Sequence, residues 1–257
     1  MAGISTVRRL TVEQLHAAAP DDVMVISETR GGALAAWSLD GGLAFAAEDE
    51  YSGADCWLSV VGDPQTTPTL VNAALADLGD DVAGLTVPRG VSLALWNAEP
   101  PPGHEILSDW DLMAIRTPPP MQEGEASVAA LEDLAEVQAF LDRVNPLHSA
   151  RTDNKLVEMW VGARDEASGS LLAVGARTRR TSGVAFLASI ATDPWARGRG
   201  YGGAITALLT RQVFDGGEKL CTLAHYHPND PARRLYLRLG YHTTHQFSSG
   251  HIRRESR

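Results

Sequence analysis

Two arginines set among glycines, and a tyrosine on a helix further along, are the residues of this 257-residue chain whose types and spacing could do chemistry. The first group runs Arg197-Gly198-Arg199-Gly200-Tyr201-Gly202. Its glycines let the backbone turn tightly and approach a ligand closely. The first N–H groups of a helix opening there have no partner inside the helix, so an anion is the natural occupant. Arg197 and Arg199 add full positive charge where a diphosphate would need it. The run is neither the GxxxxGK[ST] of a P-loop nor a GxGxxG following the first strand of a βαβ unit, which argues against both of those nucleotide sites.

The elements that position this group are legible on either side of it. Leu187-Ala188-Ser189-Ile190-Ala191-Thr192 is short, apolar and partly β-branched, which suits a buried strand, and Asp193-Pro194 stops it. From Gly200 onward, Ile205, Leu208, Leu209, Val213 and Phe214 recur at helical spacing. Lys219 to His225 reads as another strand, and Asn229 or Asp230 followed by Pro231 starts a second helix, with Asn229 as its cap. That helix carries Ala232, Leu235, Tyr236 and Leu239 and stops at Gly240. Taken alone, Tyr236 reads as a core tyrosine with its hydroxyl sent to water.

Arg-x-x-Gly-x-Gly at 197–202 and Asn-x-x-Ala-x-x-x-Tyr-x-x-x-Gly-Tyr at 229–241 together resemble the acetyl-CoA signature of the GNAT superfamily of N-acetyltransferases, over about residue 125 to the end. The resemblance implies an α/β (α+β) fold with a mixed, splayed central sheet. It implies acetyl-CoA as cosubstrate, with Ile190, Ala191 and Thr192 pairing by backbone with the pantetheine arm. Arg197, Gly198, Arg199, Gly200, Tyr201 and Gly202 would cradle the pyrophosphate, and Asn229 would help hold the coenzyme. Tyr236 would be the general acid for the departing thiolate. Acyl transfer to an amine needs a neutral nucleophile, a polarised thioester carbonyl and a proton for the sulfur, and a backbone N–H near Ile190 could polarise the carbonyl.

Some members of the family carry a glutamate on the strand before the pyrophosphate loop, whereas residues 182–192 hold no carboxylate. Glu158 ranks first as the general base, narrowly. His148, Asp153, His225, His227 and a water chain stay open beside it. The implied activity is N-acetylation of a small-molecule or peptide amine by direct attack in a ternary complex. The missing carboxylate keeps alive a competing reading, a catalytically silent acyl-CoA-binding sensor or assembly protein. Cys221, His225, His227, His242, His245 and His251 gather near the C-terminus, but their spacing lacks the tight ligand pairs of a zinc site.

At 257 residues and 44% hydrophobic content the chain suits two globular domains. No apolar run approaches the ~18 residues of a membrane span, and the N-terminus does not read as a signal peptide. A cytoplasmic protein with no membrane partner is expected. Cys56 and Cys221 lie in apolar surroundings in different halves and read as buried free thiols. The first 120 residues hold 5 arginines against 17 carboxylates, the remainder 17 basic against 15 acidic residues. A coenzyme-binding half that is basic within an acidic protein suits an anionic ligand and argues against nucleic acid. Oligomeric state is open between monomer and homodimer. Trp37, Trp57, Trp96, Trp110, Trp160 and Trp195 read as core or domain contacts, with Trp195 placed to cover part of the coenzyme.

Thr117-Pro118-Pro119-Pro120 followed by Met-Gln-Glu-Gly reads as a linker over 117–124. Residues 125–257 then form the coenzyme domain, with a helix over 127–143, a polar helix near 149–157 and strands near 158–164, 171–178 and 183–192. Residues 1–116 offer a helix near 11–19, strands near 22–27, 33–38, 42–47 and 56–61, a helix over 68–78 and a strand near 109–115. That order echoes the second half and suggests a tandem arrangement, with residues 1–116 as a degenerate GNAT-like or accessory α/β domain.

Overall fold

The computed structural model describes residues 6–48, 56–91 and 108–252, and Trp96 falls outside them. In chain order the elements of the first half are β1 (Arg8–Leu10), α1 (Val12–Ala18), α2 (Val23–Thr29), β2 (Ala35–Leu39), β3 (Gly42–Ala47), β4 (Trp57–Val61), α3 (Thr67–Leu78), β5 (Gly84–Pro88) and β6 (Ser108–Ile115). The second half continues with β7 (Val128–Ala130), α4 (Leu134–Val144), β8 (Val157–Arg164), β9 (Leu171–Arg179), β10 (Ala185–Thr192), α5 (Tyr201–Asp215), β11 (Cys221–Tyr226), α6 (Asp230–Arg238) and β12 (His242–His251). The chain groups into two compact units, Met1–Leu112 with Thr244–Arg257, and Met113–Thr243. The last strand therefore belongs with the first unit, a grouping that no reading of the Pro-rich stretch at 117–124 as a boundary supplies. No helix among the described residues is long and apolar enough to cross a membrane.

In the first unit β1, β2, β3 and β4 pair antiparallel in sequence order. Helix α3 then carries the chain back so that β5 pairs parallel to β4. β12 adds antiparallel to β5, Phe247 opposite Pro88 and His251 opposite Gly84. The core beneath α3 is Trp37, Leu58, Val60, Leu70, Val71, Leu85 and Val87, all nearly or fully buried.

The second unit repeats the same plan. β7, β8, β9 and β10 pair antiparallel in order, and α5 returns the chain so that β11 pairs parallel to β10. Its core joins Val161, Ala173, Leu187, Ile205, Leu209, Val213, Leu223, Tyr236 and Tyr241. Helix α5 lies close on β9 because Gly175 has no side chain: a Cβ there would sit 2.6 Å from Cγ2 of Ile205. Glu125 is buried and receives the Arg211 guanidinium and the Gln122 N–H, which ties the segment before β7 to α5.

Three expectations fail locally. Residues 22–27 form a helix, not a strand. Asp22 accepts the Val25 N–H, so a short apolar run that fits either state takes the capped one. The helix expected over 127–143 begins only at Leu134, where Asp133 caps it by accepting the Glu136 N–H; Val128–Ala130 are strand instead. Residues 149–156 are turns and irregular chain rather than a helix, held by Gln138, whose side-chain oxygen accepts both the backbone N–H and the hydroxyl of Thr152.

Candidate functional site

The site begins at a defect in β10. Ser189 adopts φ 52, a left-handed conformation uncommon outside glycine, and the pairing with β9 slips between Ala188 and Ala191. The register between β10 and β11 runs from Ala185 opposite Cys221 to Leu187 opposite Leu223 and goes no further. From Ala188 to Thr192 the β11 side of the strand is therefore an open edge, about 13–16 Å of backbone at 3.3 Å per residue. Ile190, Ala191 and Thr192 all lie on it. The Ser189 hydroxyl accepts the Ala150 N–H at 2.9 Å and donates to the Ala150 carbonyl at 3.0 Å, which pins the turns before β8 to the bulge.

The loop that follows is rigid at its base and open at its tip. Asp193 is buried, pairs with Arg143 at 2.6 Å and accepts the Trp195 N–H at 3.3 Å. Gly198 and Gly200 have φ of 77 and 87, a region costly for any residue with a Cβ. Gly200 stands at the start of α5 without a side-chain cap, and the first helical bond joins the Ala204 N–H to the Gly200 carbonyl. The N–H groups of Tyr201, Gly202 and Gly203 precede that ladder and are open to a ligand. Gly202 and Gly203 face α6, where a Cβ would lie 3.4 and 3.3 Å from the Leu235 side chain. Arg197 reaches back to the Thr192 carbonyl at 3.3 Å, and Arg199 lies over the rings of Trp195 and Tyr201. Neither guanidinium is ion-paired with a carboxylate among the described residues. An amide cluster, left-handed glycines and two cations without a carboxylate ion pair among the described residues fit a diphosphate.

Tyr236 sits on α6 beside this loop. Asn229 caps the helix by accepting the Ala232 N–H at 3.2 Å, so its side-chain oxygen is committed to the helix. Burial pushes the Tyr236 phenol up to about 12, and its hydroxyl makes no hydrogen bond to another described residue. Its ring lies 6.3 Å from His225 and 6.1 Å from Tyr241. Ile190, Tyr201 and Leu235 pack against the same core cluster as Tyr236, and Gly202 and Gly203 of the loop face Leu235, the residue before Tyr236.

Of the base candidates, only His225 is placed beside Tyr236. Glu158 lies on β8 between Arg177, at 2.8 Å, and Arg179, which also pairs with Glu218 at 2.7 Å. Burial opposes it, but the two guanidiniums hold its carboxyl below the usual carboxylate range. The strand register sets Glu158 level with Phe186 and Leu187, three or more residues from Ile190. His148 is buried against the Asn145 carbonyl and Gln138, and Asp153 is exposed beside Arg151. His227 is exposed, whereas His225 is buried next to Tyr236. Among the described residues no group of three or more His, Cys, Asp or Glu side chains could hold a metal ion. Both cysteines are buried and free.

Comparison with known proteins gives this geometry a context. Residues 111–241 match the acetyltransferase (GNAT) family. No curated protein matches the chain. Among solved structures, a GNAT-family protein from Novosphingobium aromaticivorans is 21% identical, with 83% of this chain and 89% of that one covered at a TM-score of 0.55. A GCN5-related N-acetyltransferase from Kribbella flavida is 19% identical over 96% of each chain, TM-score 0.54. Another from Sphaerobacter thermophilus is 18% identical, covering 86% of this chain and 82% of that one, TM-score 0.51. These likenesses show the fold, and the α/β architecture with its mixed, open sheet is the one expected.

Proposed function

The chain belongs to the GNAT acetyltransferase family, and from that premise we propose that it is an N-acetyltransferase that uses acetyl-CoA to acetylate a small-molecule or peptide amine. The observation that carries this reading is the open β10 edge leading into the amide cluster of 201–203, with Tyr236 on the helix that Gly202 and Gly203 face. Ile190, Ala191 and Thr192 would align the pantetheine arm by backbone pairing, and Arg197, Arg199 and the loop amides would hold the pyrophosphate. The bulge at Ser189 turns backbone N–H groups out of the sheet, where one near Ile190 can polarise the thioester carbonyl as the amine attacks directly. Tyr236, kept protonated by burial, donates its proton to the sulfur as the C–S bond breaks.

We read Glu158 as an ion-pair anchor between β8 and β9, because a carboxylate held by two arginines is a poor proton acceptor. The amine's proton then leaves through water. The first unit is read as a second, degenerate copy of the same fold. Its β4–α3 connection keeps an Asp63-Pro64 turn in which Asp63 accepts the Gln65 N–H, as Asp193 does in the second unit. It then reaches its helix in four residues rather than eight, with Pro68 in the first turn.

The absence of a carboxylate from β10 favours one other reading, an acyl-CoA-binding protein without turnover. Thiol release from acetyl-CoA across an amine panel separates the two. Release that disappears in Tyr236→Phe while acetyl-CoA binding persists supports the enzyme. Tight binding with no release for any amine supports the silent binder.

A further inference from the structure

Trp195 is the only exposed tryptophan among the described residues, 59% accessible, and it projects from the most tightly held part of the phosphate loop. A single exposed tryptophan is ordinary on a protein surface, but this one stands in the loop that runs into the 201–203 amides. Its backbone is fixed on both sides. The Trp195 N–H is bound by Asp193, which Arg143 holds in turn, and Ala196 N–H bonds back to the Asp193 carbonyl at 2.9 Å. The Arg199 guanidinium lies 6.0 Å from the Trp195 ring and 5.4 Å from the Tyr201 ring, so three flat groups form a ladder beside the amide cluster.

We propose that Trp195 is the platform on which the adenine base of the coenzyme stacks. The inference rests on the acetyl-CoA reading above and adds the residue that recognises the nucleotide end. A pyrophosphate seated on the 201–203 amides leaves the adenosine two directions. One follows a groove of about 820 Å³ that Gly198, Arg199, Gly200 and Tyr201 of the loop share with Glu123, Asp165 and Glu166. Away from the loop, its three carboxylates disfavour the coenzyme's 3′-phosphate, and the further arginine of the lining, Arg164, spends both terminal nitrogens on Glu136 at 2.8 and 2.5 Å. The other is the Trp195 side, which offers an aromatic face with the Arg199 guanidinium 6.0 Å from it, while the nearby Asp193 is buried and paired with Arg143. An electron-poor purine stacks well on an indole, and the ordered backbone lowers the entropy cost of doing so.

Titration calorimetry with acetyl-CoA and with S-acetyl-4′-phosphopantetheine, which lacks the adenosine, tests this in the full-length chain. Trp195→Ala should weaken acetyl-CoA by about 5- to 150-fold, the worth of one base–aromatic stack. It should leave the truncated ligand within about twofold of wild type. Trp195→Phe should restore most of the loss, which separates stacking from damage to the loop. Trp195→Ala binding acetyl-CoA as well as wild type, or losing both ligands equally, would overturn the proposal. Wild type binding neither ligand would remove the acetyl-CoA reading itself, and the platform with it.

Discussion

A proton donor for a leaving thiolate must hold its proton until the C–S bond weakens, and an apolar setting does that for a phenol. Tyr236 has that setting, so Tyr236→Phe should lower turnover by about 10²- to 10⁴-fold while its Kd for acetyl-CoA stays at the wild-type value. Calorimetry alongside thiol-release kinetics reads both. Glu158 shows what residue types alone withhold. The arginines that occupy its carboxylate lie 19 and 21 positions away on the neighbouring strand, and no local pattern announces a cross-strand partner. Glu158→Gln should therefore lower stability rather than chemistry, with thermal unfolding shifted down and turnover per folded molecule unchanged. The left-handed glycine turn opening α5 was legible at Gly198 and Gly200 because such a turn is a local object, made of consecutive residues. Ser189 was not, since its positive φ is imposed by the sheet around it.

Between elements, two close approaches hold the coenzyme helix in place. Gly175→Ala would press a methyl against Ile205 and should cost about 1–3 kcal/mol, read as a lower denaturant midpoint. The Glu125–Arg211 pair ties the segment before β7 to α5. Burial opposes ionisation, yet the Arg211 hydrogen bonds hold the Glu125 carboxyl below the usual range. Its stabilisation is thus complete above the unfolded carboxyl pKa of about 4.3 and is lost as pH falls through the lower folded value. Glu125→Gln should be destabilised by roughly 3 kcal/mol at neutral pH, and the gap from wild type should close under acid titration of the unfolding midpoint. Long, strongly periodic elements such as α5, β9 and β10 were readable from the sequence. The helix over 23–29 was not, because four consecutive apolar residues fit strand and helix equally until Asp22 caps one of them. The turns of 145–156 were not, because their order comes from Gln138 and Ser189 at a distance.

Across the whole chain one strand plan occurs twice. Both units show four antiparallel strands, a crossover helix and a parallel fifth strand, and both keep the Asp-Pro turn after the fourth. Only the second extends that turn into an arginine-bearing glycine loop. Sequence order conceals that β12 completes the first unit, since a strand's partner is set by the sheet and not by its neighbours in the chain. Ending the chain after Thr243 should therefore expose the β5 edge and render residues of the first unit, not the adjacent α6, the first to be cut in limited proteolysis. The central claim is a single coenzyme site in the second unit, and calorimetric titration of the full-length chain with acetyl-CoA tests it most directly. One site per chain is predicted, weakened at least about tenfold by Arg197→Glu, the scale of one lost charge-assisted hydrogen bond. No binding by the wild type, two sites per chain, or binding indifferent to that charge reversal would contradict it.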